Sequence, residues 1–339
     1  MNNLVADPKR PLKIVLSGAA HPASIFLIRY ILNGEIYGKD QPIILHLLEG
    51  SSKLPLVMAL EMELQDCAFF LLEKILVTSN KIEAYTNVNI IFMLSEKKDQ
   101  KEMFKVDVFR YNLKHFKRHA EIINEYADKR VKIIMCSRPI NTNCLVMSKY
   151  APNIPVENIT GIIRLDVNRA QAQLASELGV PCNTIRRIII WGNHSDTKFT
   201  DISYAMVKLP DTKEMSIQDA IKNDNWIKNH FIKTIQTRTD DPNFGGTGKV
   251  SYYMSLAKAI MDHSYDMWNG TADWINMIVY SKGQYDAPQD VFFSFPVTIR
   301  RGKWYIVENL HVDEFSRSKL EITSKQIEQE KRWALTECG

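Results

Sequence analysis

Cysteine, glycine and proline are all scarce in this chain of 339 residues, and each scarcity narrows the possibilities. The five cysteines, Cys67, Cys136, Cys144, Cys182 and Cys338, are odd in number, widely spaced and without a Cys-x-x-Cys pair. That pattern suggests neither a disulfide framework nor a zinc site, and it makes a reducing, cytoplasmic compartment the default expectation. Fourteen glycines and thirteen prolines are too few for collagen, low complexity or long disorder. Long hydrophobic runs are missing as well. Stretches such as Ala68-Phe69-Phe70-Leu71-Leu72 fall far short of the roughly 18 to 20 residues that span a bilayer. The first ten residues lack the apolar centre of a signal peptide and contain Asp7, which transit peptides usually avoid. Charge of one sign is scarce too: a formal net charge of +4 points to neither nucleic acid nor an acidic membrane.

What is present is a globular composition, 45% hydrophobic and 24% charged, on a chain long enough for about two domains. After a leader at residues 1–11, the apolar run Leu12–Ser17 reads as a buried strand and Pro22–Leu32 as a helix with proline in a tolerated first turn. Pro42–Leu48 is another apolar run. Leu54–Leu72 reads as a helix, Asn89–Leu94 as a strand, Val106–Ala127 as a long amphipathic helix and Val131–Met135 as a strand. Strands alternating with helices predict a parallel sheet with helices on both faces and right-handed crossovers.

Beyond about residue 150 the pattern changes. Asp166–Leu178 is a helix stopped by Gly179, and Ile188–Trp191 a short strand closed by Gly192. Val250–Asp266 is helical. Met277–Tyr280, Val291–Val297 and Lys303–Val307 read as antiparallel strands, and Leu320–Leu335 as a charged terminal helix. No repeat or low-complexity linker separates the halves, so they are expected to pack together.

The first strand, turn and helix form a candidate dinucleotide site. In such units glycines let a pyrophosphate approach backbone N–H groups at a helix N-terminus. Here the turn is Gly18-Ala19-Ala20-His21-Pro22-Ala23-Ser24, with His21 where a second glycine belongs and a proline that removes a donor. Alone it also reads as an ordinary strand-to-helix turn. Glu49 ends the next strand, where an acid accepts hydrogen bonds from ribose hydroxyls and disfavours a 2′-phosphate. Gly50-Ser51-Ser52-Lys53 could cradle such a phosphate, so NADP is not excluded, and Glu49 could equally be a solvated strand end.

Arg164-Leu165-Asp166-Val167-Asn168-Arg169 opens a helix with Asp166 and Arg169 on one face. Downstream a strand delivers Trp191-Gly192-Asn193-His194 into a loop. A carboxylate held against Nδ1 of a histidine fixes its tautomer and stabilises the imidazolium, leaving the other nitrogen to exchange a proton. A nearby guanidinium binds a carboxylate through two parallel bonds. Together these suit reversible oxidation of a 2-hydroxy acid, although Asp166 and Arg169 could also be a helix-surface pair worth little.

At these residues the chain resembles the cytosolic-type NAD-dependent malate dehydrogenases of the lactate/malate dehydrogenase superfamily, over roughly residues 12 to 335. Tyr37–Leu45, Met62–Ala68, Asn141–Leu145 and Ser294–Val297 carry the resemblance. Its most specific segments are Arg164-Leu165-Asp166-Val167-Asn168-Arg169-Ala170-Gln171-Ala172-Gln173-Leu174-Ala175 and Ile190-Trp191-Gly192-Asn193-His194-Ser195. The fold implied is an N-terminal Rossmann-type parallel-sheet domain, residues 12–155, plus a C-terminal α+β substrate and dimerisation domain, residues 156–339. The resemblance implies His194 as proton acceptor, Asp166 as its partner and Arg169 as the substrate-carboxylate clamp. It implies NAD contacts from Gly18, Ala19, Ala20, His21, Ser24, Glu49, Asn112, Cys136 and Ser137, substrate contacts from Lys98, Lys105 and Arg138, no metal, and a cytoplasmic homodimer.

Three devices of that family are altered. His21 stands where its turn has glycine. Its mobile loop over the substrate carries two arginines, and Asp99 and Lys105 take those positions here, with Lys98 adjacent. The asparagine expected before Pro139 is Arg138. Lysine keeps a charge but loses the planar fork. Two expectations therefore stand: a divergent malate dehydrogenase with weakened or altered substrate preference, or an inactive relative that keeps the fold as a binding or dimer partner. A nucleic-acid module, suggested by Lys114, His115, Lys117 and Arg118 on one helix, is more distant, since such runs are usually solvated.

Overall fold

The computed structural model describes residues 9–95, 105–209, 213–237 and 249–338. The side chains of residues 105, 106, 108 and 249–252 are not among those described. The first half alternates strands and helices: β1 (Leu12–Ser17), α1 (Pro22–Leu32), β2 (Ile43–Leu48), α2 (Leu54–Asp66), β3 (Leu72–Thr78), α3 (Lys81–Tyr85), β4 (Ile90–Met93), α4 (Lys105–Tyr126), β5 (Lys132–Met135), α5 (Ile140–Tyr150) and β6 (Ile159–Gly161). β1 pairs in parallel with β2 on one side and β4 on the other, and β3, β5 and β6 extend the sheet outward, all parallel. Ile14, Val15, Leu16, Leu45, Leu47, Ile91 and Phe92 are buried, as expected of strands covered on both faces.

The helix expected over Leu54–Leu72 ends at Asp66. Ala68 adopts a positive φ of 49°, which reverses the chain, and residues 72–78 become β3 at the sheet edge. The mixed sequence Leu-Glu-Lys-Ile-Leu-Val-Thr shows why that strand escapes a search for continuous apolar runs: its outer residues face solvent.

The second half comprises α6 (Arg164–Leu178), β7 (Ile185–Arg186), β8 (Ile189–Trp191), β9 (Phe199–Asp201), β10 (Met206–Val207), β11 (Met215–Ser216), α7 (Ile217–Ile221), α8 (Asp224–Trp226), α9 (Ile232–Thr237), α10 (Lys249–Asn269), β12 (Ile275–Lys282), β13 (Gln289–Arg300), β14 (Lys303–Ile306) and α11 (Glu314–Cys338). β12, β13 and β14 do not form a sheet of their own. They add antiparallel to β6, giving one nine-stranded sheet in the order β14-β13-β12-β6-β5-β4-β1-β2-β3. α11 starts earlier than its apolar spacing suggests, because Asp313 accepts the Ser316 N–H at 2.7 Å as a cap. Its buried stripe, Leu320, Thr323, Ile327 and Ala334, packs onto the body.

This topology places the candidate residues. The parallel order reverses direction of growth at β1, flanked by β2 and β4, and ligands of open α/β sheets bind outside the carboxyl ends of strands at such a switch point. Gly18 follows β1, Glu49 follows β2, Ser95 lies just past β4, Cys136 follows β5, and α6 begins just after β6. Among the described residues, no helix is long and apolar enough to cross a membrane.

Candidate active site

Asp166 sits in the first turn of α6 with no exposed surface. His194 reaches it from the loop after β8, donating from Nδ1 to Oδ2 at 2.5 Å. The Arg169 guanidinium, one turn along α6 and 7% exposed, lies 3.4 Å from Oδ1. Burial by itself would push the Asp166 carboxyl up. The charge of His194, the Lys198 ammonium, the hydrogen bond from His194 and the Arg169 guanidinium outweigh it and hold the carboxyl well below the ordinary carboxylate range. The carboxylate is therefore ionised, and with Nδ1 committed to it, Nε2 is the His194 nitrogen left for another partner.

The loop carrying His194 is fixed from several sides. Gly192 has φ 93°, and a Cβ there would stand 2.2 Å from Thr323 Oγ1 of α11, so only glycine permits this approach. Gly192 also exchanges backbone hydrogen bonds with Ser294 of β13. Asn141 at the start of α5 donates to the carbonyls of Gly192 and Phe292 at 3.1 and 2.9 Å. Within the loop, Asn193 donates to Thr197 and accepts from Ser195. Gln326 of α11 accepts from both Ser195 and Thr197 and donates to Glu330. Glu330 in turn accepts from Thr142 at 2.5 Å, and its burial raises its carboxyl.

The cofactor turn is built differently. Gly18 has φ 89°, and a Cβ on it would meet the Ser95 N at 2.5 Å, so this glycine is obligatory. Its N–H and that of Ala19 are given to the Leu48 carbonyl. The Ala20 N–H donates to Glu49 Oε2 at 2.9 Å, and the Gly50 N–H to Glu49 Oε1 at 2.9 Å. His21 caps α1, its Nδ1 accepting the Ala23 N–H at 3.2 Å while its ring lies edge-on to Tyr253 of α10 at 5.2 Å. Ser24 is buried and donates to the Gly18 carbonyl at 3.4 Å. Ala20 and Ala23 thus hold out donors to side-chain acceptors, which an anionic ligand at a helix N-terminus can displace. On that ground the turn fits a dinucleotide.

Asn112 is buried on α4, Cys136 is buried after β5, and Ser137 donates to the carbonyls of Met93 and Ser95 at 2.8 and 2.9 Å. Arg138 is exposed beside them and precedes a cis Pro139. Lys98 and Asp99 lie outside the described residues, and Lys105 is described only as the first residue of α4. The basic residues of α4 do not make one solvated face. His115 turns inward to Ser95 Oγ at 3.0 Å, burial lowering it to about 4, and Lys117 donates to the Cys338 carbonyl at 2.6 Å. Among the described residues, no group of three or more His, Cys, Asp or Glu is placed to hold a metal.

Sequence reading missed Lys198, Gln326 and Glu330. Gln326 and Glu330 lie one turn apart on α11 but look like any charged surface helix. Lys198 carried a better signal, being a charged residue set between the loop and the apolar start of β9.

A turn that fits a dinucleotide at the switch point of a parallel sheet, together with a buried carboxylate–imidazole pair in the same chain, is the combination found in nucleotide-dependent oxidoreductases. Residues 12–160 match the NAD binding domain of lactate/malate dehydrogenase, and residues 163–337 its alpha/beta C-terminal domain. The chain is 41% identical over 328 residues to the cytoplasmic malate dehydrogenase of Echinococcus granulosus, covering 96% of this chain and 98% of that one. It superposes on malate dehydrogenase from Naegleria fowleri with a TM-score of 0.91, 33% identity and coverage of 97% and 99%. A lactate dehydrogenase from Trichomonas vaginalis in complex with NADH and oxamate gives a TM-score of 0.89 at 30% identity, covering 96% and 99%. The chain belongs to the lactate/malate dehydrogenase family. Its first half is an NAD-binding domain, and the family's enzymes are NAD-dependent oxidoreductases.

Proposed function

We propose that this chain interconverts malate and oxaloacetate, or a closely related pair of 2-hydroxy and 2-oxo acids, with His194 as proton acceptor. The observation that carries the reading is the buried Asp166–His194 pair with the Arg169 guanidinium beside it. In the oxidative direction the substrate hydroxyl gives its proton to Nε2 of His194 as the C2–O bond becomes a carbonyl. Asp166 stabilises the imidazolium that results. Arg169 holds the carboxylate next to the reacting carbon, setting C2 toward the cofactor. Bound NAD would supply the acceptor for the hydride that leaves C2. Glu49 would hold the adenosine ribose, and the Gly18–Ser24 turn the pyrophosphate, with Asn112, Cys136 and Ser137 lining the remaining path. Lys98, Lys105 and Arg138 are the groups offered to the far end of the substrate.

The same reading includes a cytoplasmic homodimer. The relatives are named as cytoplasmic enzymes, and α2 exposes Leu56, Met58 and Met62 as apolar surface for a second copy. The altered turn and loop favour the competing reading, an inactive relative. Fluorescence titration with NADH and NADPH side by side, followed by turnover with oxaloacetate and pyruvate, separates the two. NADH binding with 2-oxo acid reduction is expected. Binding of neither cofactor would leave only the fold and a role as partner.

A further inference from the structure

Asp166 is shared by three side chains, not by one. Besides His194 and Arg169, the Nζ of Lys198 lies 3.7 Å from Oδ1, and Lys198 and Asp166 have no exposed side-chain surface. Lys198 is held there on purpose-built contacts: its ammonium donates to the Gln236 carbonyl of α9 at 3.4 Å, and Gln236 Nε2 donates back to the Lys198 carbonyl at 2.7 Å. Fully buried lysine is among the rarest of burials, because an ammonium loses its hydration and needs a partner to replace it.

Among the described residues, the Asp166 carboxylate, with imidazole neutral, already faces two cationic side chains, Arg169 and Lys198. A proton taken by His194 adds a third positive charge to the same dry site, where Coulomb interactions are weakly screened. Of the described elements packed around it, α6 contributes Asp166 and Arg169, the loop His194, Lys198 and the exposed Asp196, and α9 the uncharged Gln236. α11 contributes Gln326 and, one hydrogen bond further off, Glu330.

We infer that Lys198 is a positioning residue of the dyad: its ammonium competes with the imidazolium for Asp166 and so favours release of the proton from His194. The effect opposes the stabilisation that Asp166 gives. It tilts the protein toward oxidation of the hydroxy acid, the direction that needs an empty Nε2, and it weakens reduction, the direction that needs Nε2 protonated.

The inference rests on the proposed proton-transfer role of His194, and its test is arranged so that the two fail separately. pH profiles of kcat/KM are measured in both directions for the wild type, Lys198→Met and Lys198→Gln, the glutamine being able to keep the Gln236 contact if methionine impairs folding. Removing the ammonium 3.7 Å from Asp166 leaves more of the carboxylate's charge to the imidazolium, and a charge within about 4 to 6 Å moves a protonation by about one unit or more. The acid limb of oxidation and the alkaline limb of reduction should therefore both move to higher pH by about one unit in the neutral variants. That is about a tenfold loss of oxidation on the acid side. Lys198→Arg, which keeps the charge, should restore the native limbs. A uniform fall in kcat with both limbs in place would show a merely structural lysine and overturn the inference. If the wild type shows no turnover, the proposed function fails first. Titration of the His194 ring resonances by NMR then decides this inference: curves that coincide in wild type and Lys198→Met overturn it, and an upward shift upholds it.

Discussion

The two ends of this site are held by opposite means. At the end where Asp166 meets His194 the side chains are buried or half-buried, and each is answered by a partner on another element: Asp166 on α6, His194 and Lys198 on a loop, Gln236 on α9, Gln326 on α11 and Asn141 on α5. At the cofactor end the turn's backbone donors are themselves taken up by nearby acceptors, and Gly18 and Ala19 give theirs to the Leu48 carbonyl of β2. Glu49 takes the Ala20 N–H, and His21 takes the Ala23 N–H. A group tied through five elements cannot drift without moving the core, and such groups keep their geometry before a ligand arrives. A turn whose backbone donors are already held by side-chain acceptors must release them before it binds an anion. The difference teaches that the chemistry is preorganised here, while affinity and specificity depend on what the ligand must displace.

The sharpest way to break the comparison is at the preorganised end. His194→Asn keeps a polar side chain toward Asp166 but removes the exchangeable proton. Turnover should fall by about 10² to 10⁴-fold, the usual contribution of a general acid–base group. NADH affinity, governed by the other end, should stay within twofold or so of the wild type. Steady-state rates and fluorescence titration on the same preparation read both. An unchanged rate would make this histidine structural and erase the distinction between the ends.

The next effect falls on substrate choice. Oxaloacetate carries a second carboxylate besides the one proposed for Arg169. The segment Ser95–Lys105 offers Lys98, Lys101 and Lys105, but also Glu96, Asp99 and Glu102. Acids in the same segment compete for the lysines or repel the substrate, and a lysine lacks the two-pronged geometry of arginine. Replacing both Asp99 and Lys105 by arginine should raise the oxaloacetate-to-pyruvate ratio of kcat/KM by roughly ten- to a hundredfold, the worth of one well-placed charge-assisted bond. A wild type that already prefers oxaloacetate by several orders of magnitude would show the lysines to be sufficient.

The legibility of the sequence divides along the same line. Strands buried on both faces announce themselves: Ile14–Leu16 within β1 and Ile90–Met93 are continuous apolar runs. Asp166, Arg169 and His194 were readable because each belongs to a dense local pattern. β3 was not, since an edge strand with Glu73 and Lys74 facing out has no apolar run to find. The joining of β12 to β6 was not legible either, because pairing between segments over a hundred residues apart leaves no mark on local periodicity. Lys198 and Glu330 escaped for a third reason. A charged residue is read as exposed by default, and only the partner brought in by the fold reveals that it is buried.

The smallest expected effect concerns His21, where the two ends differ most plainly in construction. Its Nδ1 accepts the Ala23 N–H, so in the neutral ring Nε2 carries the proton. Two consequences compete. As a cap, the imidazole occupies a donor that a phosphate would otherwise use, and its bulk stands where backbone approaches the pyrophosphate. As a donor, Nε2–H can bond a phosphate oxygen directly. His21→Gly separates them at little cost to the fold, since glycine replaces a capping side chain for a few tenths of a kcal/mol and the lost edge-on contact with Tyr253 is worth about 1 kcal/mol. If crowding dominates, the variant should bind NADH up to about tenfold more tightly, one neutral hydrogen bond being worth about 1 kcal/mol, while melting a few degrees lower. His21→Asn, which retains a capping acceptor without the ring, should fall between the two. Weaker NADH binding in the glycine variant would reverse the assignment: His21 would then be a cofactor ligand, and the turn would be as purposefully built as the dyad.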